Sequence, residues 1–157
     1  MQIEEVVRVL EALEEAEVRY WVSGGWGIAT LVGRQTRHHR DLDLLVDAEC
    51  LEVCLRVLEG MGYQRETDWL PVRVEYATDG VGWVDVHPVR FSAEGHGRQE
   101  GLDGHHFDYP PAVWNVGKVE GRTVPCISVE QQRAFHSGYE PRAQDVHDLE
   151  ALRQLEA

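Results

Sequence analysis

The chain contains no run of 18 apolar residues and no basic-then-apolar leader, its first fifteen residues being rich in glutamate instead. The missing run excludes a membrane-spanning helix and the missing leader argues against secretion, so a soluble cytoplasmic protein is expected. Basic residues are scarce: 15 Lys and Arg stand against 28 Asp and Glu, a formal net charge of -13, and Lys118 is the sole lysine. Such a surface repels phosphate polymers, which speaks against a general nucleic-acid binder and suits a small cationic partner. Cysteine is too sparse for a disulfide framework, since Cys50, Cys54 and Cys126 cannot all pair. Cys50 and Cys54 sit four apart on a helical stretch without nearby histidine partners, which reads as core packing rather than a metal grip. No internal repeat or low-complexity tract interrupts the 157 residues, a length suited to one compact domain spanning 1–157.

What is present is patterned. Ile3, Val6, Val7, Leu10 and Leu13 recur at helical spacing among Glu and Arg, an amphipathic first helix. Residues 18–23, VRYWVS, read as a short strand, Gly24-Gly25 as a tight turn, and Trp26 to Leu31 as a second helix stopped by Gly33. In DLDLLV, Leu42, Leu44 and Val46 alternate with Asp41, Asp43 and Leu45, the period of a strand, so Asp41 and Asp43 point the same way. Leu51, Cys54, Leu55 and Leu58 form the apolar face of a third helix ending near Gly60 or Gly62. VRVEYA and VGWVDVHPV flank the turn TDG, and in the second run Trp83, Asp85 and His87 share a face. Residues 92–106 carry four glycines and almost no apolar residue, which predicts an exposed loop. A second hairpin from Val113 to Cys126 turns at Glu120-Gly121; Ser128 with Gln131 then opens a helix that Gly138 closes, and a last helix follows Pro141. The fold class is α+β, with a mixed sheet and terminal helices from about residue 128.

Two carboxylates pointing into one space repel each other unless a cation or proton intervenes. At this separation hard oxygen ligands suit Mg²⁺, and Asp85, an acid in an apolar strand, is the candidate third ligand. The bland alternative is that these acids cap turns or line a solvated sheet face. A glycine-rich turn entering a helix exposes backbone N–H groups to phosphate oxygens, and Ser23 adds a hydroxyl donor, although the stretch has neither the Walker lysine nor the Rossmann spacing.

Strand, Ser-Gly-Gly, helix, Asp-x-Asp and a later strand acid together resemble the nucleotidyltransferase superfamily that includes DNA polymerase β. The segments YWVSGGWGIATLVGRQTRHHRDLDLLVDAE, VGWVDVHPV and VPCISVEQQRAFHSGYEPRAQDVHDL are similar to short lincosamide O-nucleotidyltransferases, and the first also to aminoglycoside 2''-adenylyltransferases. The resemblance runs in order from Tyr20 to Leu149. It departs at Ala29, where relatives often carry an aspartate, and at Ser23, where the lincosamide group carries an acid; side chains at the mouth of the site bear on the acceptor.

The resemblance implies the polymerase β-like fold, a mixed sheet flanked by helices. It implies transfer of AMP from ATP, or of another nucleotide, to a hydroxyl of a small cationic antibiotic, a lincosamide before an aminoglycoside. The alternative is a regulatory transferase that modifies a protein or RNA. Asp41 and Asp43 would hold two Mg²⁺ ions, with Asp85 as a further metal ligand, the base, or both. Ser23, Gly24 and Gly25 would receive phosphate oxygens, and relatives of this size suggest a homodimer. Arg40 either pairs with a carboxylate or reaches a phosphate. His87 either contacts the acceptor or supports Asp85. The pairs His38-His39 and His105-His106 match no zinc-finger spacing and read as solvated loops. Lys118 reads as an exposed hairpin lysine, while Trp26, Trp83 and Tyr139 either stack on a base or sugar or, for at least two of them, pack in the apolar core.

Overall fold

The computed structural model describes residues 1–156. Helix α1 (Ile3–Glu15) buries Val6, Leu10 and Leu13 of the expected stripe, with Val9 buried in place of Val7 while Ile3 and Val7 are half-buried. There follow β1 (Tyr20–Ser23), α2 (Gly24–Val32), β2 (Asp41–Asp47), α3 (Leu51–Gly60), β3 (Gln64–Trp69), β4 (Arg73–Thr78) and β5 (Gly82–Phe91). The chain continues with β6 (Gly97–Glu100), β7 (His106–Tyr109), β8 (Trp114–Val119), β9 (Arg122–Ile127), α4 (Val129–Phe135) and α5 (Ala143–Gln154). The strands form one nine-stranded sheet in the order β3-β4-β5-β2-β1-β9-β8, with β6 and β7 as a ribbon attached through β5. β2 runs parallel to β5 and antiparallel to β1, and β1 runs parallel to β9, so the sheet is mixed as expected.

One face of the sheet carries the main core. Val22, Leu42, Leu44, Val46, Val84 and Val86 point there and pack with α1, α2 and α3 residues such as Leu10, Trp26 and Leu58. Each such side chain contributes about 1.5–3 kcal/mol relative to exposure. Cys54 lies in this core and Cys50 packs at its edge. The other face holds Asp41, Asp43, Asp85 and His87 at one end and the aromatic group Trp21, Phe91 and Trp114 at the other, with ring centroids 4.7–5.2 Å apart. No helix among the described residues is long and apolar enough to cross a membrane.

Four boundaries differ from the sequence reading. The second helix starts at Gly24 immediately after Ser23, two residues before Trp26, because Gly24 takes φ +61 and the chain turns straight into the helix. Residues 92–106 are not an exposed loop: β6 and the start of β7 lie there, with Gly97 and Gln99 buried. Their backbone hydrogen bonds pair the ribbon without an apolar pattern to announce it. β3 carries no alternation that could have marked it, being an almost wholly exposed edge strand. α4 ends at Phe135, short of Gly138, whose φ of +85 serves the loop beyond. The two hairpins and their turns lie where the sequence puts them, and Glu120 and Gly121 both have positive φ, the geometry of a tight two-residue hairpin turn.

Candidate active site

Strand register builds the site. Ser23 of β1 lies opposite Asp43 of β2, Asp43 beside Asp85 of β5, and Asp85 opposite Glu75 of β4. Four polar residues thus form one row across adjacent strands, on the face opposite the main core. Gly24 begins α2 under this row: a Cβ there would overlap Asp43 Oδ2, and one on Gly25 would overlap the His39 ring. The glycines therefore let Asp43 and His39 press against the helix start, whose first two residues line a cavity.

Charge within the row is partly neutralised by the chain itself. Arg73 donates from Nη1 to Asp85 Oδ2 at 2.6 Å and from Nη2 to Glu75 Oε1 at 2.8 Å. His87 Nε2 lies 3.5 Å from Asp85 Oδ2 and 3.9 Å from Asp43 Oδ1. Burial disfavours the imidazolium, but Asp43 and Asp85 outweigh it and push His87 up to about 9. Burial raises the Asp43 pKa above the usual carboxylate range, Asp85 and Asp41 add to the rise, and His87 opposes it. Asp43, Asp85 and His87 each offer a ligand atom within 4.8 Å of the others. Asp85 Oδ1 is buried with no partner. Hard carboxylate oxygens, one of them unsatisfied, fit a divalent cation.

Two cavities meet at Gly24 and Asp43. The larger, about 700 Å³, runs past Gly25 and Asp41 to α5 and sets Arg37, Arg40 and Arg142 among the aspartates Asp41, Asp43, Asp145 and Asp148, with His38, His39 and His136 beside them. The smaller, about 350 Å³, is lined by Ser23, Leu45, His87, Gln99, Phe107 and Phe135 besides those two residues. In the wall of the larger one, Asp148 of α5 accepts from Arg37 through two hydrogen bonds of 2.8 and 2.7 Å, and Asp145 accepts from Arg142 at 3.0 Å. Burial raises the Asp148 pKa, yet hydrogen bonds from Arg37 and His136 prevail and hold it down at about 2.

A family model described as aminoglycoside-2''-adenylyltransferase matches residues 5–152. The chain belongs to the aminoglycoside-2''-adenylyltransferase family. It is 34% identical over 151 residues to the lincosamide resistance protein of Staphylococcus haemolyticus, covering 96% of this chain and 94% of that one. It is 31% identical over 132 residues to a 2''-aminoglycoside nucleotidyltransferase of Klebsiella pneumoniae, covering 82% and 69%. Among solved structures, the lincomycin-bound lincosamide antibiotic adenylyltransferase LnuA superposes with a TM-score of 0.91 at 33% identity, covering 99% of this chain and 98% of that one. ANT(2'')-Ia in complex with adenylyl-2''-tobramycin shares the fold, with a TM-score of 0.77 at 20% identity, covering 99% and 90%. The aminoglycoside-2''-adenylyltransferase family member described here is thus a nucleotidyltransferase by family and fold, as its motifs imply.

Within this family member, Ser23, Gly24, Gly25, Asp43, Asp85 and His87 come together at the sheet row. Asp41 lines the larger cavity with Asp43 but turns to Arg40, which donates to it at 2.8 Å. Arg40 is therefore a carboxylate partner, and its guanidinium also lies 5.0 Å from the centroid of the Trp83 ring. Tyr139 is exposed on the larger cavity, whereas Trp26 is buried. His39 is buried against Trp26 instead of solvated with His38. Lys118 is exposed on its hairpin, as expected. Ala29 is fully buried in α2 and lines neither cavity, so the substitution there does not shape the mouth of the site. The sequence reading did not single out Arg73 and Glu75, nor Arg37, His136, Asp145 and Asp148. Arg73 and Glu75 did leave a signal, charges at alternate positions of an otherwise apolar strand; Arg37 and Asp148, 111 residues apart, left none.

Proposed function

We propose that the protein transfers AMP from ATP to a hydroxyl of a lincosamide antibiotic and releases pyrophosphate. The observation that carries this reading is the seam at Gly24 and Asp43, where a cleft bearing both arginines and aspartates meets a smaller, partly aromatic cavity. A triphosphate in the first would bring its α-phosphorus to the start of α2, against an acceptor in the second. The near full-length match to a lincosamide resistance protein favours that acceptor over an aminoglycoside, whose relatives match over less of their length.

Ser23 and the Gly24 and Gly25 N–H groups receive phosphate oxygens, while Arg37, Arg40 and Arg142, each paired with an aspartate, turn their remaining N–H donors to the distal phosphates. Asp41, Asp43 and Asp85 are the residues that would hold Mg²⁺, and His87 stands by as an additional donor. When bound, the ions supply charge neutralisation and alignment of the triphosphate. Asp85 accepts the hydroxyl proton as the acceptor oxygen bonds to the α-phosphorus and the bond to the pyrophosphate oxygen breaks. His87 and Tyr139 contact the bound molecules on the two sides of the seam.

Purified protein with Mg²⁺, ATP and lincomycin should yield adenylylated drug and pyrophosphate by mass spectrometry. Asp43→Asn should lower turnover by about 10³-fold or more with the fold retained by circular dichroism. Label on tobramycin but not lincomycin would assign an aminoglycoside acceptor, and label only on a macromolecule from lysate would assign the regulatory alternative. We propose further that the enzyme works in the cytoplasm as a homodimer whose second copy helps to wall the open acceptor cavity. Sedimentation at enzymatic concentrations showing monomer alone would sink that part.

A further inference from the structure

Asp85 is held by cations on one oxygen only. Arg73 Nη1 lies 2.6 Å from Asp85 Oδ2, and His87 approaches the same oxygen at 3.5 Å. Oδ1 is buried and bonded to nothing. The arginine is itself fixed: its Nη2 donates to Glu75 at 2.8 Å, and its guanidinium carbon lies over the Trp69 ring, 4.9 Å from the centroid. A guanidinium is planar, so engaging both Nη groups sets its orientation and, through it, that of the carboxylate it meets. Arg73 lines neither cavity and spends one N–H of each Nη group on the two carboxylates.

We propose that Arg73 is the positioning residue of the transfer reaction: braced by Glu75 and Trp69, it occupies Asp85 Oδ2 and thereby presents Oδ1 as the working oxygen. The edge hairpin of β3 and β4 exists, in this view, to deliver that brace. Asp85 is the base and metal ligand of the proposed transferase, so the inference rests on that reading for its chemistry, although the placement of the carboxylate can be observed without turnover.

The test compares Arg73→Gln and Arg73→Lys with the wild type in turnover and in crystal structure. Arg73→Gln, which loses the fork and the charge, should lower kcat about 10–100-fold, while KM for ATP stays within about two-fold, the signature of an interaction that acts on the transition state. Arg73→Lys, which keeps a cation without the fork, should fall between the two. In the Arg73→Gln structure the Asp85 carboxylate should leave its wild-type position by more than about 0.5 Å. Should Arg73→Gln fail to fold, the same comparison is made on Arg73→Lys alone. Unchanged kcat, a raised KM for ATP at unchanged kcat, or an unmoved Asp85 would overturn the proposal. If the wild type itself transfers nothing to any acceptor, the transferase reading falls, and the position of Asp85 in the variant structures still decides the role of Arg73.

Discussion

Gly24 carries no side chain where Asp43 stands. From the sequence, a Gly-Gly pair before a helix suggests free N–H groups for phosphate, and the structure adds a second requirement, close approach of a carboxylate. Gly24→Ala should therefore do two things: strain the backbone at φ +61 by about 1–2 kcal/mol, and push Asp43 off the row, cutting transfer by about 100-fold. Thermal unfolding and a turnover assay on the same sample separate the two effects. The paired aspartates were legible because a strand's period of two places them on one face. That Asp41 leans to Arg40 while Asp43 leans to His87 was not legible, because the partners come from an adjacent residue's rotamer and from a parallel strand.

Helix α5 and the segment between α2 and β2 depend on each other. Asp148 anchors Arg37, and the segment that Arg37 belongs to carries His39 and Arg40 to the edge of the larger cavity. Removing the carboxylate leaves a partly buried arginine unpaired, so Asp148→Asn should destabilise the fold by about 2–4 kcal/mol, discounted for the exposed part of Arg37. The pH dependence has a definite sign. Asp148 is held at about 2 in the folded chain against 3.8 ordinarily, so its contribution is complete above about pH 4 and fades as pH falls through 2. That contribution amounts to about 2 kcal/mol, and the acid limb of a denaturation series should be shallower in Asp148→Asn. Helix existence was visible here from caps and prolines. The anchoring was not, since charged residues on a terminal helix look the same in sequence whether they face water or a distant arginine. The β6–β7 ribbon escaped for a related reason: glycine-rich polar composition marks turns, and the pairing that makes it a ribbon lies in backbone groups common to every sequence.

Across the whole molecule, the net charge of -13 acts at long range on a cationic acceptor, and the acceptor cavity borders the carboxylate row. Raising ionic strength shortens the Debye length from about 30 Å at 0.01 M to about 8 Å at 0.15 M. KM for a cationic acceptor should then rise roughly 2–5-fold, while an uncharged analogue of the same acceptor shows no such rise; initial rates across a salt series test this. Sequence alone determined the local pieces: helical stripes, strand alternation, the tight turn at Glu120-Gly121, the glycine entry to a helix and the shared face of Asp41 and Asp43. Each depends on residues within a few positions of one another, where backbone sterics and periodicity act. Only tertiary structure decided that parallel pairing of β2 with β5 sets Asp43 beside Asp85, that β4 adds Glu75 and Arg73 to the row, and that Asp148 reaches Arg37. Those juxtapositions follow from strand order and packing, which a local pattern does not encode.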